Sequence, residues 1–372
     1  MTSYKPILPP ATIGIIGGGQ LGRMIAISAR QMGYGVVILD PTPRCPAAMI
    51  ADAQIIADYD DLEALRQLYD VCDVLTYEFE NIPAYSLENI LDRLPQGSFP
   101  LAFTQDRLLE KETINRLGFK TVPFVKIDNN LDLFSGVKLI GLPAILKTRH
   151  GGYDGKGQVL IEKEADIEKV TGLSILESKV DIFKEVSLIV CRNCENEIKT
   201  FPVIENIHKD QRLVESSIPT TIDSDMIAKI ESTGKKLCEE LNIVGTMTLE
   251  FFITAQGEVL INECAPRVHN SGHLTIEGCN VSQFEQHLRA ILNLPLKDTK
   301  IIKPTLMINI YGQDLSVSRE ILSKNKTINY HLYGKEKALK NRKIGHITIC
   351  KDDLSDLEIE RLKFREILNK DI

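Results

Sequence analysis

The first part of the chain alternates between short apolar runs and helical patterns, and this alternation restricts the possible folds more than any other feature. The apolar run Ile13–Ile16 is followed by three glycines and then by the helical pattern Leu21–Met32. Val36–Leu39 and Val71–Tyr77 are further apolar runs, with a helical pattern at Asp61–Tyr69 between them. Strands that alternate with helices form parallel sheets with helical crossovers. We therefore predict an N-terminal α/β domain built on a parallel sheet.

The pattern changes after residue 106. Arg107–Leu117 has the apolar spacing of an amphipathic helix. The predicted strands Val186–Cys191 and Ile198–Ile204 flank a turn signal at Asn193–Asn196, and longer strand patterns also flank Ala255–Gly257. The C-terminal residues combine strand patterns with a basic stretch, Lys335–Lys343. These changes predict three domains, at residues 1–106, 107–296 and 297–372.

The charge and the cysteines exclude several classes of protein. The chain has 44 basic and 51 acidic residues and a formal net charge of −7, whereas a protein that follows nucleic-acid phosphates is usually basic. No apolar run approaches the roughly 18 residues of a membrane span, and Met1–Pro10 lacks the apolar core of a secretory signal. We therefore expect neither a nucleic-acid nor a membrane partner. The eight cysteines predict reduced thiols and a cytoplasmic location.

The glycine turn at Gly17–Gly22 allows three interpretations. It fits the G-x-G-x-x-G pattern between a strand and a helix, and Asp40 ends the next strand, as in dinucleotide-binding proteins. Alternatively, the amides of Gln20 and Leu21 bind a single phosphate at the start of the helix. The third interpretation is a tight turn that requires small residues.

A second glycine-rich segment, Gly151–Gln158, follows the apolar strand that ends at Lys147. Flexible glycines allow backbone amides to approach phosphate oxygens, and the lysines add positive charge. The segment is not a Walker A loop. A glycine-rich hairpin without a ligand explains the segment equally well.

Two acidic residues are predicted to lie on neighbouring strands. Glu250 and Glu263 flank the turn signal near Gly257, and Asn262 adds a neutral oxygen beside Glu263. Oxygen ligands of this kind suit a magnesium ion that bridges nucleotide phosphates. A surface pair of acids on adjacent strands is the alternative, which charge repulsion disfavours.

The loop after Glu263 concentrates polar residues that are common in active sites. Arg267, His269, Asn270 and His273 lie within this short segment. A single histidine is usually structural, but four such residues after a carboxylate indicate a site. The basic stretch near the C-terminus is, by contrast, first interpreted as a solvated face; its charged residues are Lys335, Lys337, Lys340, Arg342 and Lys343.

Five segments together resemble the ATP-grasp superfamily, and within it the ligases that carboxylate 5-aminoimidazole ribonucleotide. They are Gly17–Met24, Tyr77–Pro83, Gly151–Gln158, Ile261–His273 and Asn341–His346. The resemblance implies an α/β fold: a Rossmann-like pre-ATP-grasp domain, a two-lobed ATP-grasp domain with its lid at about residues 120–180, and a small C-terminal β-rich domain.

The resemblance also implies a reaction. ATP phosphorylates bicarbonate to carboxyphosphate, and the amine of 5-aminoimidazole ribonucleotide takes the carboxyl group, directly or through CO2. ADP and phosphate are released. Magnesium is the implied cofactor beside ATP, and a homodimer is the implied assembly.

The resemblance assigns residues to three groups. Those implied at ATP are Arg107, Lys147, Gly152, Tyr153, Asp154, Gly155, Lys156, Gly157, Gln158, Glu177, Ser178, Lys179, Val180, Glu185, His208, Asn262 and Glu263. Those implied in catalysis are Tyr153, Asp154, Lys156, Arg267 and His269, with magnesium on Glu250 and Glu263. Those implied at the ribonucleotide substrate are Gly19, Gln20, Leu21, Glu78, Asn270, Lys335, Arg342 and Lys343, so the solvated-face interpretation no longer holds for the last three.

Other functions stay open at this point. A nicotinamide-dependent dehydrogenase would use the first glycine turn but leaves Glu250 and Glu263 unexplained. A formate-using glycinamide ribonucleotide transformylase shares the ATP-grasp plan, but it has Asp at the position of Asn270. A nucleotide sensor without turnover is the third alternative. Asp154 and His269 are both candidates for the base that accepts the proton of the substrate amine.

Overall fold

The computed structural model describes residues 5–152, 157–166 and 172–368, and these residues form three sheets. The N-terminal sheet is parallel, in the order β3-β2-β1-β4, as predicted. Helix α1 begins at Gln20, one residue before the predicted start at Leu21. The elements of this part are β1 (Thr12–Ile16), α1 (Gln20–Gln31), β2 (Gly35–Leu39), β3 (Ala53–Ile55), α2 (Leu62–Val71), β4 (Val74–Tyr77) and α3 (Phe99–Thr104).

The second sheet is small and antiparallel, in the order β5-β8-β6-β7, and lies within the predicted lid. Helix α5 packs on it because Gly136 lets the helix approach Val125 and Leu176. Asn129 and Asp132 form a capping box that fixes the start of this helix. The elements are α4 (Arg107–Arg116), β5 (Phe124–Ile127), α5 (Asn130–Ile140), β6 (Ala144–Thr148), β7 (Gln158–Ile161) and β8 (Ser174–Ser178).

The largest sheet is antiparallel and has the order β14-β13-β9-β11-β12-β15-β17-β16, with β10 paired to β9. Its last three strands belong to the C-terminal part of the chain, and they continue the sheet because β12 pairs with β15. The elements are β9 (Ile182–Arg192), β10 (Ile198–Thr200), β11 (Ile204–Lys209), β12 (Arg212–Ile218), α6 (Ser224–Glu240), β13 (Gly245–Thr254), β14 (Val259–Ala265), α7 (Thr275–Gly278), α8 (Gln283–Ile291), β15 (Thr305–Tyr311), α9 (Leu315–Lys324), β16 (Ile328–Leu332), β17 (Lys343–Cys350) and α10 (Leu354–Ile367).

The N-terminal domain shares its hydrophobic core with later parts of the chain. Ile25 of α1 and Ile13 of β1 belong to the same buried cluster as Phe284 and Leu288 of α8, and Tyr333 joins it from beyond β16. Burial of this apolar area holds the domains together. The core therefore brings the first glycine turn, the loop after β14 and the basic stretch to one region.

Two further observations concern membrane-spanning helices and the cysteines. In the part of the chain that the structure describes, no helix is both long and apolar enough to cross a membrane. All eight cysteines are free thiols, and six of them are buried.

Candidate active site

The two predicted metal ligands face each other on adjacent strands. Glu250 of β13 and Glu263 of β14 are direct partners in the antiparallel register, as the hairpin pattern indicated. Burial and the negative charge of Glu263 raise the pKa of Glu250 to about 7. Two adjacent carboxylates that resist joint ionisation are a suitable place for a hard divalent cation. Over the described ranges, no group of three or more His, Cys, Asp or Glu side chains is arranged to hold a metal.

Basic side chains surround this pair. Arg107, at the start of α4, places Nη1 3.3 Å from Oε2 of Glu263, and its Nη2 donates to the carbonyl of Gly152 at 3.2 Å. His269 places Nε2 3.3 Å from Oε1 of Glu250. The acidic pair is therefore contacted by one cation from α4 and by one imidazole from the loop after β14.

A buried ion triad lies beside the carboxylates. Glu177 of β8 forms ion pairs with two lysines: its Oε2 lies 2.7 Å from Nζ of Lys147, and its Oε1 lies 2.9 Å from Nζ of Lys111. Burial alone would raise the pKa of Glu177, but the two lysines outweigh it and lower that pKa to about 2. One negative charge between two positive ones leaves a net positive charge, which favours an anionic ligand at Lys147.

The segment predicted to read adenine runs along the end of β8. The amide of Ser178 donates to the carbonyl of Pro123 at 2.9 Å, and that of Lys179 donates to Pro143 at 3.2 Å. Lys179 is exposed and Val180 is half-buried. These bonds hold the segment against the residues that precede β5 and β6 of the lid sheet, and its contact with adenine stays a prediction.

The predicted ribose contact and the second nucleotide contact meet. Oε2 of Glu185, on β9, lies 2.7 Å from Nδ1 of His208, on β11. Burial opposes protonation of His208, but the hydrogen bond and charge of Glu185 outweigh it and raise its pKa. The pair therefore presents a carboxylate and an imidazole whose protonated form is favoured, on the same sheet as Glu250.

His269 is held in a neutral form by its surroundings. Burial and the positive charge of Arg267 keep the pKa of His269 well below its usual range. Its Nδ1 lies 2.8 Å from Oγ of Ser271. The carboxamide of Gln283 accepts from the backbone N–H of His269 at 2.9 Å and donates to its carbonyl at 2.6 Å. Hydrogen bonds to the backbone of His269 and to its ring thus fix the position of the imidazole.

Arg267 and Asn270 have partners that the sequence did not indicate. The guanidinium of Arg267 binds both carboxylate oxygens of Glu80, with Nη2 2.9 Å from Oε1. Asn270 and Asn309 exchange two amide hydrogen bonds, of 3.0 and 2.8 Å, and both side chains are buried. Asn270 therefore ties the loop to β15, and its predicted contact with substrate stays untested.

The first glycine turn is closed by two carboxylates. Glu78 accepts from the amide of Gly19 at 2.7 Å and from that of Gly22 at 2.9 Å. Asp40 accepts from the amide of Gly18 at 2.7 Å and from the hydroxyl of Tyr59 at 2.8 Å. Both of these partners of Asp40 lie within its own domain. This favours the single-phosphate interpretation over the interpretation in which Asp40 binds the ribose of a dinucleotide.

The basic stretch contacts this turn through Lys335. Lys335 donates from Nζ to Oε1 of Gln20 at 3.1 Å and to the carbonyl of Lys343 at 2.6 Å. Lys335 and Lys343 are half-buried, whereas Arg342 is exposed. Leu21 is buried in the first turn of α1. Lys335 and the helix start therefore form one positively charged corner.

The structure describes the second glycine-rich segment at its two ends. Tyr153, Asp154, Gly155 and Lys156 lie outside the described residues. Its flanks are described: the carbonyl of Gly152 contacts Arg107, Gly157 has a positive φ of 75°, and Gln158 pairs with Lys147 at the start of β7.

Comparison with known proteins adds relatives along almost the whole chain. Sequence models match a ribonucleotide synthetase preATP-grasp domain at residues 10–102, an ATP-grasp domain at 112–284 and a phosphoribosylaminoimidazole carboxylase C-terminal domain at 305–360. The N5-carboxyaminoimidazole ribonucleotide synthase of Bacillus subtilis is 45% identical over 356 residues, which are 94% of each chain. The chain belongs to the N5-carboxyaminoimidazole ribonucleotide synthase family.

Solved structures of the N5-carboxyaminoimidazole ribonucleotide synthase family have the same fold. The Staphylococcus aureus synthetase, in complex with ADP, has a TM-score of 0.92 and 42% identity, with 97% of this chain and 98% of that chain covered. The Aspergillus clavatus synthase, in complex with ADP and 5-aminoimidazole ribonucleotide, has a TM-score of 0.89 and 27% identity, with 97% and 99% covered. The predicted resemblance and the predicted fold class are confirmed.

Sequence patterns did not indicate three residues of this synthase-family site, of which Glu110 and Lys111 are buried and Glu80 is half-buried. Glu80 lies in a segment that carried the resemblance, but only Glu78 received a role. Lys111 follows Arg107 by one helical turn of α4, a spacing that could have indicated it. Glu110 accepts from the amide of Cys264 at 2.5 Å, and burial and the charge of Glu263 raise its pKa to about 7. Nothing in the local sequence indicates its partner.

Proposed function

We propose that this chain is an ATP-dependent ligase that carboxylates 5-aminoimidazole ribonucleotide to N5-carboxyaminoimidazole ribonucleotide. The reaction consumes bicarbonate through carboxyphosphate and releases ADP and phosphate, as a step of purine biosynthesis. One observation carries the proposal: His269 contacts the Glu250–Glu263 pair, and the core that contains the neighbouring Val268 also contains Leu21 of the glycine turn.

ATP would bind between the lid sheet and the large sheet. Arg107 and Lys147 would contact its phosphates, and Glu185 and His208 would contact the nucleoside. The net positive charge of the Lys111–Glu177–Lys147 triad supports an anion at this place. Positioning and charge neutralisation are the main requirements of phosphoryl transfer.

Magnesium fits the residues present. Glu250 and Glu263 would hold it, with Asn262 nearby, and phosphate oxygens would complete the ligand set. The ion would neutralise charge on the phosphates during transfer. The raised pKa of Glu250 supports this assignment, because a cation removes the repulsion that favours the protonated form.

Bicarbonate and carboxyphosphate would lie at Arg267 and His269. The guanidinium would bind the anion, and the neutral imidazole would contact it without adding a second full charge. Carboxyphosphate reacts readily with water, so the segment that holds Tyr153, Asp154 and Lys156 would have to exclude solvent. Asp154 and His269 both remain candidates for the base.

The ribonucleotide would bind at the first glycine turn. Its phosphate would contact Lys335, Lys343, Arg342 and the start of α1, and its hydroxyls would contact Glu78. The positively charged corner formed by Lys335 and Gln20 supports this placement. Asn270, whose loop is held to β15 by its hydrogen bonds with Asn309, would contact the same substrate.

The deciding experiment measures ADP release and product formation together. Purified protein is supplied with ATP, magnesium and bicarbonate, with and without 5-aminoimidazole ribonucleotide, and both ADP and N5-carboxyaminoimidazole ribonucleotide are quantified. We expect product only when all components are present. Formate with glycinamide ribonucleotide is the control for the transformylase alternative, and NADH in a thermal-protection assay is the control for the dehydrogenase.

Two further properties belong to the proposal. We expect a homodimer, which sedimentation equilibrium would measure. We also expect a cytoplasmic enzyme, and the eight free thiols support this expectation.

A further inference from the structure

The segment that follows β4 contacts two sites at alternate residues. Glu78 binds the amides of Gly19 and Gly22 in the first glycine turn. Two residues later, Glu80 binds the guanidinium of Arg267 in the loop after β14. One short piece of backbone therefore touches both the turn proposed for the ribonucleotide and the side chain proposed for carboxyphosphate.

The contact between Glu80 and Arg267 is bidentate and largely shielded from water. Nε and Nη2 of Arg267 each face one oxygen of Glu80, and the side chains are 14% and 29% exposed. Bidentate pairs of this kind fix the plane of the guanidinium as well as its distance. Burial opposes ionisation of Glu80, but the charge of Arg267 outweighs it and lowers the pKa of Glu80. Both groups are therefore charged at neutral pH.

Further hydrogen bonds hold the backbone of Arg267 and one N–H group of its guanidinium. Its carbonyl accepts from Oγ1 of Thr248 at 3.3 Å, and the preceding carbonyl, of Pro266, accepts from Nε2 of Gln96 at 3.4 Å. Nη1 donates to the carbonyl of Val268 at 3.0 Å. A guanidinium has five N–H groups, so the contacts seen among the described residues leave donors for an anionic ligand.

We propose that Glu80 is a positioning residue that orients the Arg267 guanidinium toward carboxyphosphate from the same segment that forms the ribonucleotide site. This inference rests on the proposed function. Glu80 itself contacts neither substrate; it acts through Arg267. A loosened guanidinium would hold carboxyphosphate poorly, and water would return it to bicarbonate and phosphate after ADP has formed. The ratio of ADP to carboxylated product would then exceed one.

The test compares Glu80→Gln and Glu80→Asp with a matched control. Glu215→Gln removes a similar bidentate contact, because buried Glu215 accepts from Nε and Nη2 of Arg365, each at 2.8 Å, but this pair joins β12 to α10. We expect Glu80→Gln to lower kcat for formation of N5-carboxyaminoimidazole ribonucleotide about tenfold or more, with little change in KM for ATP. Small displacements of catalytic groups have effects of this order. The ratio of ADP to product in Glu80→Gln should rise above that of the wild type, and Glu80→Asp should fall between the two.

The outcomes distinguish a failure of the proposed function from a failure of the inference about Glu80. If the wild type forms no N5-carboxyaminoimidazole ribonucleotide, the proposed function is wrong. If the wild type does so and Glu80→Gln keeps the wild-type kcat and ratio, or if Glu215→Gln raises the ratio equally, the inference about Glu80 is wrong. Circular dichroism checks folding; if Glu80→Gln does not fold, wild-type kcat and ratio in Glu80→Asp overturn the inference.

Discussion

Carboxylates and cations are paired at the level of single residues throughout the candidate site. Arg107 contacts Glu263, Lys147 contacts Glu177, and Arg267 contacts Glu80. Anionic ligands would have to compete with these carboxylates, or share the cations with them. The sequence allowed the cations to be predicted through motif resemblance. It could not reveal Glu80 as the partner of Arg267, because the two residues are far apart in the chain and meet only through the packing of two domains.

The first prediction concerns the paired glutamates. Glu250→Gln and Glu263→Gln should each abolish ADP formation, because loss of a ligand to a phosphate-bridging cation removes several kcal/mol of transition-state stabilisation. Steady-state ADP release at saturating magnesium is the measurement. Glu258→Gln is the control, since this exposed residue of the same hairpin contacts Lys120 instead. Turnover close to wild type in either glutamine variant would contradict the magnesium assignment.

The second prediction concerns the basic stretch. Lys335→Ala and Arg342→Ala should raise KM for 5-aminoimidazole ribonucleotide about tenfold or more and leave KM for ATP unchanged, since a charge-assisted contact contributes about 1.5–3 kcal/mol. Lys335 should show the larger effect because its contact with Gln20 already fixes its position. Lys337→Ala is the control, because that residue is exposed. An unchanged KM for 5-aminoimidazole ribonucleotide in Lys335→Ala would support the interpretation of the stretch as a solvated face.

At the level of elements, most helices and strands follow from local patterns. The predicted runs at Ile13–Ile16 and Val36–Leu39 are found as β1 and β2, each one residue longer at its start. The run 198–204 was predicted as one strand, which is wrong. It divides into β10 and β11 because Pro202 lacks the N–H that a central strand must donate.

The third prediction concerns the turn before α1. A Cβ atom at Gly19 would lie 2.6 Å from Oε1 of Glu78, so Gly19→Val should displace that carboxylate and raise KM for 5-aminoimidazole ribonucleotide strongly. Asp40→Ala should leave that KM nearly unchanged but lower the free energy of unfolding, because the amides of Gly18 and Thr42 and the hydroxyl of Tyr59 lose their acceptor.

Kinetics with each substrate varied, together with urea unfolding, separate these effects. Gly172→Ala is the control for a glycine substitution, because a Cβ there would meet nothing within 4 Å. Micromolar binding of NADH, or an equal rise of KM in Asp40→Ala and Gly19→Val, would refute the single-phosphate interpretation.

At the level of the whole molecule, a buried polar relay joins the N-terminal domain to the ATP-grasp domain. His287 of α8 accepts from the amide of Thr246 at Nδ1, at 3.2 Å, and its Nε2 lies 2.9 Å from Oγ1 of Thr76. Thr76 in turn donates to Gln96 at 2.5 Å. These partners assign the proton to Nε2 of a neutral ring. No sequence pattern indicated this relay, because its members come from four separate segments.

The fourth prediction follows from the titration of this relay. Burial lowers the pKa of His287 to about 4 from 6.5, so the unfolded chain binds a proton at a higher pH than the folded chain does. The stability contributed by the neutral ring is complete above pH 6.5 and is lost as the pH falls toward 4; the loss is on the order of 3 kcal/mol.

Urea unfolding at pH 7 and pH 5 tests this linkage. Glutamine can form both hydrogen bonds without titrating. Between pH 7 and pH 5, the free energy of unfolding of His287→Gln should therefore fall by about 2 kcal/mol less than that of the wild type. Equal losses in the wild type and in His287→Gln would show that the ring does not titrate as its burial implies.

The pairing of β12 with β15 has a consequence for how the chain can be divided. The C-terminal strands are hydrogen-bonded to the ATP-grasp sheet, so removing residues 297–372 would leave β12 as a bare sheet edge. Such an edge offers unpaired N–H and C=O groups to any other strand, which is a route to aggregation. Excision would also remove Lys335 and Arg342. The three regions that sequence models recognise separately are therefore not interchangeable modules: a viable truncation or gene fusion has to keep the C-terminal strands with the sheet that they complete.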